Sequence, residues 1–127
     1  MKLVPAVVAT VLLSLASGVP AAEPTESRLV GVWVLCQDPD GGARDSLEFF
    51  PEGYGFNRRP NAAMSPFLFK EAGGQLMLAI NAKGNLLTIY FSISPDYSRI
   101  TLKSNRTESE SFYVRTGQEQ QNACTAR

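Results

Sequence analysis

The chain has 127 residues, with 12 basic and 12 acidic side chains, no histidine and a formal net charge of zero. The cations are spread along the chain among acids, whereas a nucleic-acid-binding protein presents a basic stripe, so we expect no nucleic-acid partner. Histidine is the residue that most acid–base and hydrolytic mechanisms use. Its absence predicts a protein that is not an enzyme and has no catalytic residue, metal ligand or cofactor.

The first residues have the three parts of a cleavable export signal. Lys2 is followed by an apolar run over residues 3–15 and by small residues at 16–22. The alternative is a transmembrane anchor, but a run of roughly 13 residues is shorter than the ~20 that a spanning helix needs. We therefore expect residues 1–21 to be a signal peptide, cleaved after residue 21 or 22. The predicted location is the periplasm or the medium, with no stable membrane insertion after cleavage.

Export makes the two cysteines informative. Cys36 and Cys124 are the only cysteines in the chain, and thiols pair in an oxidising compartment. We therefore expect one disulfide between them. The alternative, a reactive or metal-binding thiol pair, has neither Cys-x-x-Cys spacing nor a histidine to support it.

After cleavage the chain begins with a polar segment, residues 22–28, which we expect to be a flexible N-terminal arm. A single domain over residues 29–127 follows. In it, short runs rich in Val, Ile, Phe and Tyr alternate with Gly, Pro, Asn and Asp, which is typical of strands and turns. Eight strands are predicted, at residues 29–36, 46–50, 53–57, 67–71, 75–80, 86–93, 99–103 and 111–115.

The short connections between these strands favour an antiparallel, up-and-down meander. Such a sheet has exposed edges unless it closes on itself, so the predicted fold is an all-β barrel with one disulfide. A two-layer sandwich and an open, half-wrapped sheet are the alternatives. In the first strand Val30, Val32 and Val34 form a second apolar face, and the tail 117–127 is a candidate to cover it.

The acidic residues suggest little chemistry. Asp38, Asp40 and Asp45 lie in a glycine-rich loop, but the ordered ligands and the final Glu of a calcium-binding EF-hand loop are missing. No metal site is therefore predicted there.

The opening segment Leu29-Val30-Gly31-Val32-Trp33 has a Leu-x-Gly-x-Trp pattern. It resembles the first strand of lipocalins and of short bacterial lipocalin-like domains. Residues 49–55, 86–93 and 112–115 resemble later parts of the same pattern, so the resemblance covers residues 29–115. It implies a lipocalin-like barrel in which Trp33 closes one end beneath Arg115, in a cation–π contact.

Two functions are compatible with these features. The first is a non-enzymatic exported binding module whose lipocalin-like barrel binds a small apolar ligand or a protein partner. The second is a periplasmic inhibitor or immunity protein that blocks a secreted toxin or a cell-wall lytic enzyme through its loops.

The candidate partner-contact loop is the longest break between strands, residues 56–66. Arginine and methionine are enriched at protein interfaces, and long loops are often functional. We therefore predict partner contacts by Arg58, Arg59, Asn61 and Met64. The alternative is a solvated connection with no partner.

Overall fold

The computed structural model describes residues 27–41, 44–104 and 107–126. The predicted signal peptide, and the predicted arm as far as residue 26, lie outside the described residues. Within the described part of the chain, no helix is long and apolar enough to cross a membrane.

Eight antiparallel strands in the described residues form a closed barrel in which each strand pairs with the next and the last returns to the first. The strands are β1 (Gly31–Gln37), β2 (Ser46–Phe49), β3 (Tyr54–Arg58), β4 (Ser65–Ala72), β5 (Gln75–Ala82), β6 (Asn85–Ile93), β7 (Arg99–Lys103) and β8 (Glu110–Arg115). The predicted all-β meander and its closure are confirmed. The sandwich and the open sheet are excluded.

Two tight turns build the longest hairpins. Gly73 and Gly74 join β4 to β5 with φ values of 58° and 78°, and Lys83 and Gly84 join β5 to β6 with φ values of 52° and 82°. Positive φ at both central residues gives a turn whose twist matches that of the flanking strands. The two turns therefore keep β4, β5 and β6 in register along most of their length.

Large side chains fill the barrel interior. Phe49, Phe67 and Phe69 meet edge to face, with ring centroids 5.0 to 6.4 Å apart. Gly55 makes room for them, because a Cβ on it would lie 2.5 Å from the Phe67 ring and 2.1 Å from the Glu48 carbonyl oxygen. The other buried members of this core are Leu29, Trp33, Leu35, Leu47, Leu76, Leu78, Phe91, Ile93, Ile100 and Tyr113.

One end of the barrel is closed by Trp33, which is fully buried. Its indole Nε1 donates to the Leu29 carbonyl oxygen at 2.8 Å. Arg115 pairs with Trp33 across the β1–β8 seam, and its Cζ lies 4.5 Å from the indole centroid. The guanidinium also donates to the carbonyl oxygens of Val30, at 2.8 Å, and Arg28. The structure thus brings together the two residues that the resemblance pairs.

Gly31 makes space for this arginine. Its φ of 126° is one that other residues rarely adopt, and a Cβ on it would lie 3.1 Å from the Arg115 Nη1. Burial, together with the charge of Arg28, lowers the pKa of Arg115. The guanidinium is therefore partly withdrawn from water and held by main-chain oxygens and an aromatic face.

The disulfide between Cys36 and Cys124 is present, as predicted. It fastens the C-terminal tail over the outside of the β1–β8 seam, where Val34, Phe112 and Val114 form a second small apolar cluster with the two cysteines. The main-chain N–H groups of residues 125 and 126 donate to the Cys36 carbonyl oxygen at 2.8 and 3.0 Å. The tail therefore covers Val34, one of the outward valines of β1.

The last two residues of the predicted arm lie against the closed end of the barrel. Ser27 donates its hydroxyl to the Glu71 carboxylate at 2.8 Å. Arg28 stacks over the Tyr97 ring, with its Cζ 4.2 Å from the centroid. Tyr97 donates to the same carboxylate, and this hydrogen bond raises the pKa of its phenol.

Replacing both cysteines by alanine should lower the free energy of unfolding by about 2–4 kcal/mol, because the bond closes a loop across 88 residues of sequence. Urea unfolding at neutral pH measures the change. Wild-type protein with a reducing agent is the matched control and should lose the same amount. A urea midpoint in the double variant equal to that of wild type would contradict the stabilising role of the disulfide.

Replacing Arg115 by Lys should lower the free energy of unfolding by about 1–2 kcal/mol, because a lysine keeps the charge but cannot reach both carbonyl oxygens and the indole face together. Trp33 is the only tryptophan in the chain, so its fluorescence follows the unfolding directly. The control is Arg44→Lys, which alters an exposed ion pair with Glu119 worth well under ~1 kcal/mol. Equal losses in the two variants would count against the closing role of Arg115.

Candidate functional site

The end of the barrel opposite Trp33 carries the candidate site. The connections β1–β2, β3–β4, β5–β6 and β7–β8 meet there, and we call this region the open end. A cavity of about 350 Å³ lies in it. Its lining mixes apolar and charged side chains: Leu35, Asp38, Asp45, Arg59, Leu102, Ser111 and Tyr113.

A buried polar network lies at one side of this cavity. Asp45 precedes β2, and its carboxylate accepts hydrogen bonds from the Tyr113 hydroxyl at 2.8 Å and from the Asn57 amide at 2.9 Å. Tyr113 is 7% exposed and Asn57 is 6% exposed. The amide also donates to the Ser46 carbonyl oxygen at 3.3 Å. One carboxylate, just before β2, thus joins β3 to β8 where the apolar core ends.

The environment of Tyr113 keeps its phenol neutral. Burial is the largest cause of a strongly raised pKa, and the charge of Asp45 and its hydrogen bond act in the same direction. A phenol held in this way donates a hydrogen bond but is a poor base or nucleophile, because its anion is disfavoured. The network therefore orients a carboxylate rather than activating a reactive group.

The predicted partner-contact residues divide into two environments. Arg59 reaches the rim and lines both the open-end cavity and an adjoining cavity of about 310 Å³ on the outer wall. Arg58 is bound to Glu48 on the outside of the barrel, with 2.6 Å between Nη2 and Oε1. Asn61 and Met64 are exposed in the same β3–β4 connection, and Met64 is 52% exposed. Arg59 thus lines both cavities, whereas Arg58 lines only the one on the outer wall.

Residues that the sequence interpretation did not select complete the site. The three aspartates of the glycine-rich loop have different hydrogen-bond donors: Tyr113 for Asp45, the Ser111 hydroxyl at 3.1 Å for Asp38, and the Thr107 hydroxyl at 3.3 Å for Asp40. Among residues 27–41, 44–104 and 107–126, no group of three or more acidic or cysteine side chains could hold a metal ion. The sequence did contain a signal for Asn57. Residues two apart on a strand share a face, and Asn57 is a polar residue on the inward face of β3.

No protein-family model, curated protein or solved structure matches this chain. The function of the open end is accordingly inferred from its own geometry.

Replacing Tyr113 by Phe should lower the free energy of unfolding by about 1.5–3 kcal/mol at pH 7, because the Asp45 carboxylate loses a buried donor. Chemical denaturation measures the loss, and circular dichroism checks that the barrel is retained. An unchanged stability would show that water replaces the phenol at no cost.

The same variant should also change the alkaline limit of stability. The folded protein holds the Tyr113 proton above the ordinary tyrosine pKa of about 10, whereas the unfolded chain releases it there. Stability contributed by this group is therefore complete below pH 10 and falls by about 1.4 kcal/mol per pH unit above it. Denaturation from pH 9 to 11 should show a shallower decline in Tyr113→Phe than in wild type, and parallel declines would contradict the assignment.

Proposed function

We propose that the protein is a non-enzymatic exported binding module with a lipocalin-like barrel, and that it binds a protein partner through the open end. The observation that carries this proposal is the distribution of side chains. Aromatic and aliphatic groups fill the barrel, while charged and polar groups surround the cavity at its rim.

The lipocalin-like assignment rests on two features. The Leu-x-Gly-x-Trp segment opens a closed eight-stranded barrel. Trp33 and Arg115 are stacked at the closed end, with Gly31 leaving room for the arginine. These are the relationships that the resemblance implies, and they support a lipocalin-like domain shortened to its barrel.

A protein partner suits the open end better than a small apolar ligand does. The three phenylalanines Phe49, Phe67 and Phe69 occupy space that a deep apolar ligand would need. The open-end cavity offers apolar contact from Leu35 and Leu102 but is rimmed by charges. A protein surface can pair with such charges at a rim while burying apolar side chains at the centre of the contact.

The partner class that we propose is a secreted enzyme, such as a toxin or a cell-wall lytic enzyme, which this domain inhibits. A rigid scaffold favours inhibition, because little ordering entropy is then lost on binding. The disulfide and the Asp45 network both brace the rim. Arg59 and the exposed Met64 supply the residue types that are enriched at interfaces. A disulfide is also compatible with an exported location.

The experiment is capture of proteins from the periplasm and medium of the source cells by the tagged protein, expressed as the full chain. In a double variant, Arg59→Gln with Met64→Ser, the amount of captured partner should fall at least about 10-fold relative to wild type, because two interface residues are lost. Lys70→Gln with Leu68→Ser is the matched control, since both residues are exposed on the outer wall of β4, and it should retain the wild-type amount. The captured enzyme should lose activity when the purified protein is added.

If the Lys70→Gln, Leu68→Ser control failed to capture the partner while the Arg59→Gln, Met64→Ser variant still captured it, the interface would lie outside the open end. Saturable binding of an apolar naphthylamine dye, with no protein captured, would overturn the protein-partner proposal in favour of a small apolar ligand. Capture of an enzyme that remains fully active would overturn the inhibitory function while leaving the binding site.

A further inference from the structure

Strand β6 pairs with β5 along almost its whole length but with β7 only at its C-terminal end. β5 pairs with it from Asn85 to Ser92. β7 pairs with it only through Ser92 and Ile93, although β7 continues to Lys103. A cavity of about 520 Å³ lies between the rest of β6 and the end of β7, and its lining includes Asp38, Asp40 and Lys103. Residues 85–91 therefore form an open strand edge in the wall of a closed barrel.

The direction of the main-chain groups follows from one hydrogen bond. The N–H of Ile93 donates to the carbonyl oxygen of Gly74, the residue just before β5. The main-chain N–H and C=O groups of the odd-numbered residues of β6 therefore point toward β5. Successive residues of an antiparallel strand direct their N–H and C=O groups to opposite sides. Leu86, Thr88 and Tyr90 consequently direct theirs toward the β7 side, beyond the point where the β6–β7 pairing ends.

The composition of β6 does not protect this edge. Its sequence, Asn-Leu-Leu-Thr-Ile-Tyr-Phe-Ser-Ile, contains no charged residue and no proline, which are the devices that usually prevent strand edges from pairing. Leu86 is 73% exposed, Leu87 is 48% exposed and Tyr90 is 53% exposed. An uncharged, apolar edge of this kind readily accepts another strand.

We propose that a second copy of this protein covers the edge, with the two β6 strands paired antiparallel about a two-fold axis at Thr88. In this register Thr88 lies opposite Thr88 of the second copy, and Leu86 lies opposite its Tyr90. The pairs Leu86–Tyr90 and Leu87–Ile89 are then apolar, and Asn85 lies opposite Phe91. Each outward N–H and C=O of residues 86, 88 and 90 meets a partner. Identical strands usually bring like charges together, but β6 itself has none. The charges in the lining of the neighbouring cavity are of both signs, with Asp38 and Asp40 on one side of the balance and Lys103 on the other.

Sedimentation of the purified protein, expressed as the full chain, should show a reversible monomer–dimer equilibrium as concentration rises. Tyr90→Lys places a charge at the edge and should raise the dimer dissociation constant at least about 10-fold. Val32→Lys is the matched control, because Val32 is 37% exposed and lies on β1, whose neighbours in the barrel are β2 and β8. It should leave the dissociation constant unchanged.

Hydrogen exchange gives a second readout that does not depend on a variant. The amides of Thr88 and Tyr90 should become protected as concentration rises, whereas the amide of Ile89, which faces β5, should be protected at every concentration. A protein that stays monomeric throughout would overturn the proposal. A dimer that is dissociated by Val32→Lys but not by Tyr90→Lys would also overturn the proposal. So would protection of the Thr88 and Tyr90 amides that does not change with concentration.

Discussion

The barrel exists because the first strand pairs with the last, and this seam is the constraint on which the rest depends. Bringing together residues so distant in sequence costs loop-closure entropy. Contacts on the inner and the outer face of the β1–β8 pair offset this entropy cost. Inside, Arg115 stacks on Trp33 and donates to main-chain oxygens. Outside, the bond between Cys36 and Cys124 holds the tail over the seam.

Closure has a consequence for function. A barrel of eight strands has an interior just wide enough for side chains or one small ligand, and here phenylalanines occupy it. The polar and charged side chains are instead at the rim, where Asp45 accepts hydrogen bonds from Asn57 and Tyr113 and where Arg59 lines the cavity. This arrangement is why we propose a protein partner rather than a deeply enclosed ligand.

The pairing of β6 with β7 is the least complete in the barrel. Only Ser92 and Ile93 of β6 pair with β7, so the strand edge that a closed barrel normally removes is retained over residues 85–91. The proposed dimer uses this edge, and the proposed enzyme partner uses the rim residue Arg59. The open-end cavity and the cavity beside β6 share Asp38, Leu102 and Ser111 in their linings, but the variants that test the two proposals change different residues, Arg59 and Met64 for the enzyme partner and Tyr90 for the dimer.

Much of the architecture was determined by the sequence alone. Alternating apolar runs and turn residues predicted all eight strands, since side-chain periodicity and turn chemistry are local properties, and the two cysteines had only each other as partners. The contact of Trp33 with Arg115 followed from a resemblance. Only the tertiary structure decided which polar residues meet. Asp45, Asn57 and Tyr113 come from three separate parts of the chain, and their contact depends on strand register and barrel closure. The open edge of β6 was likewise invisible in the sequence, because pairing with β7 is a non-local property that no single strand encodes.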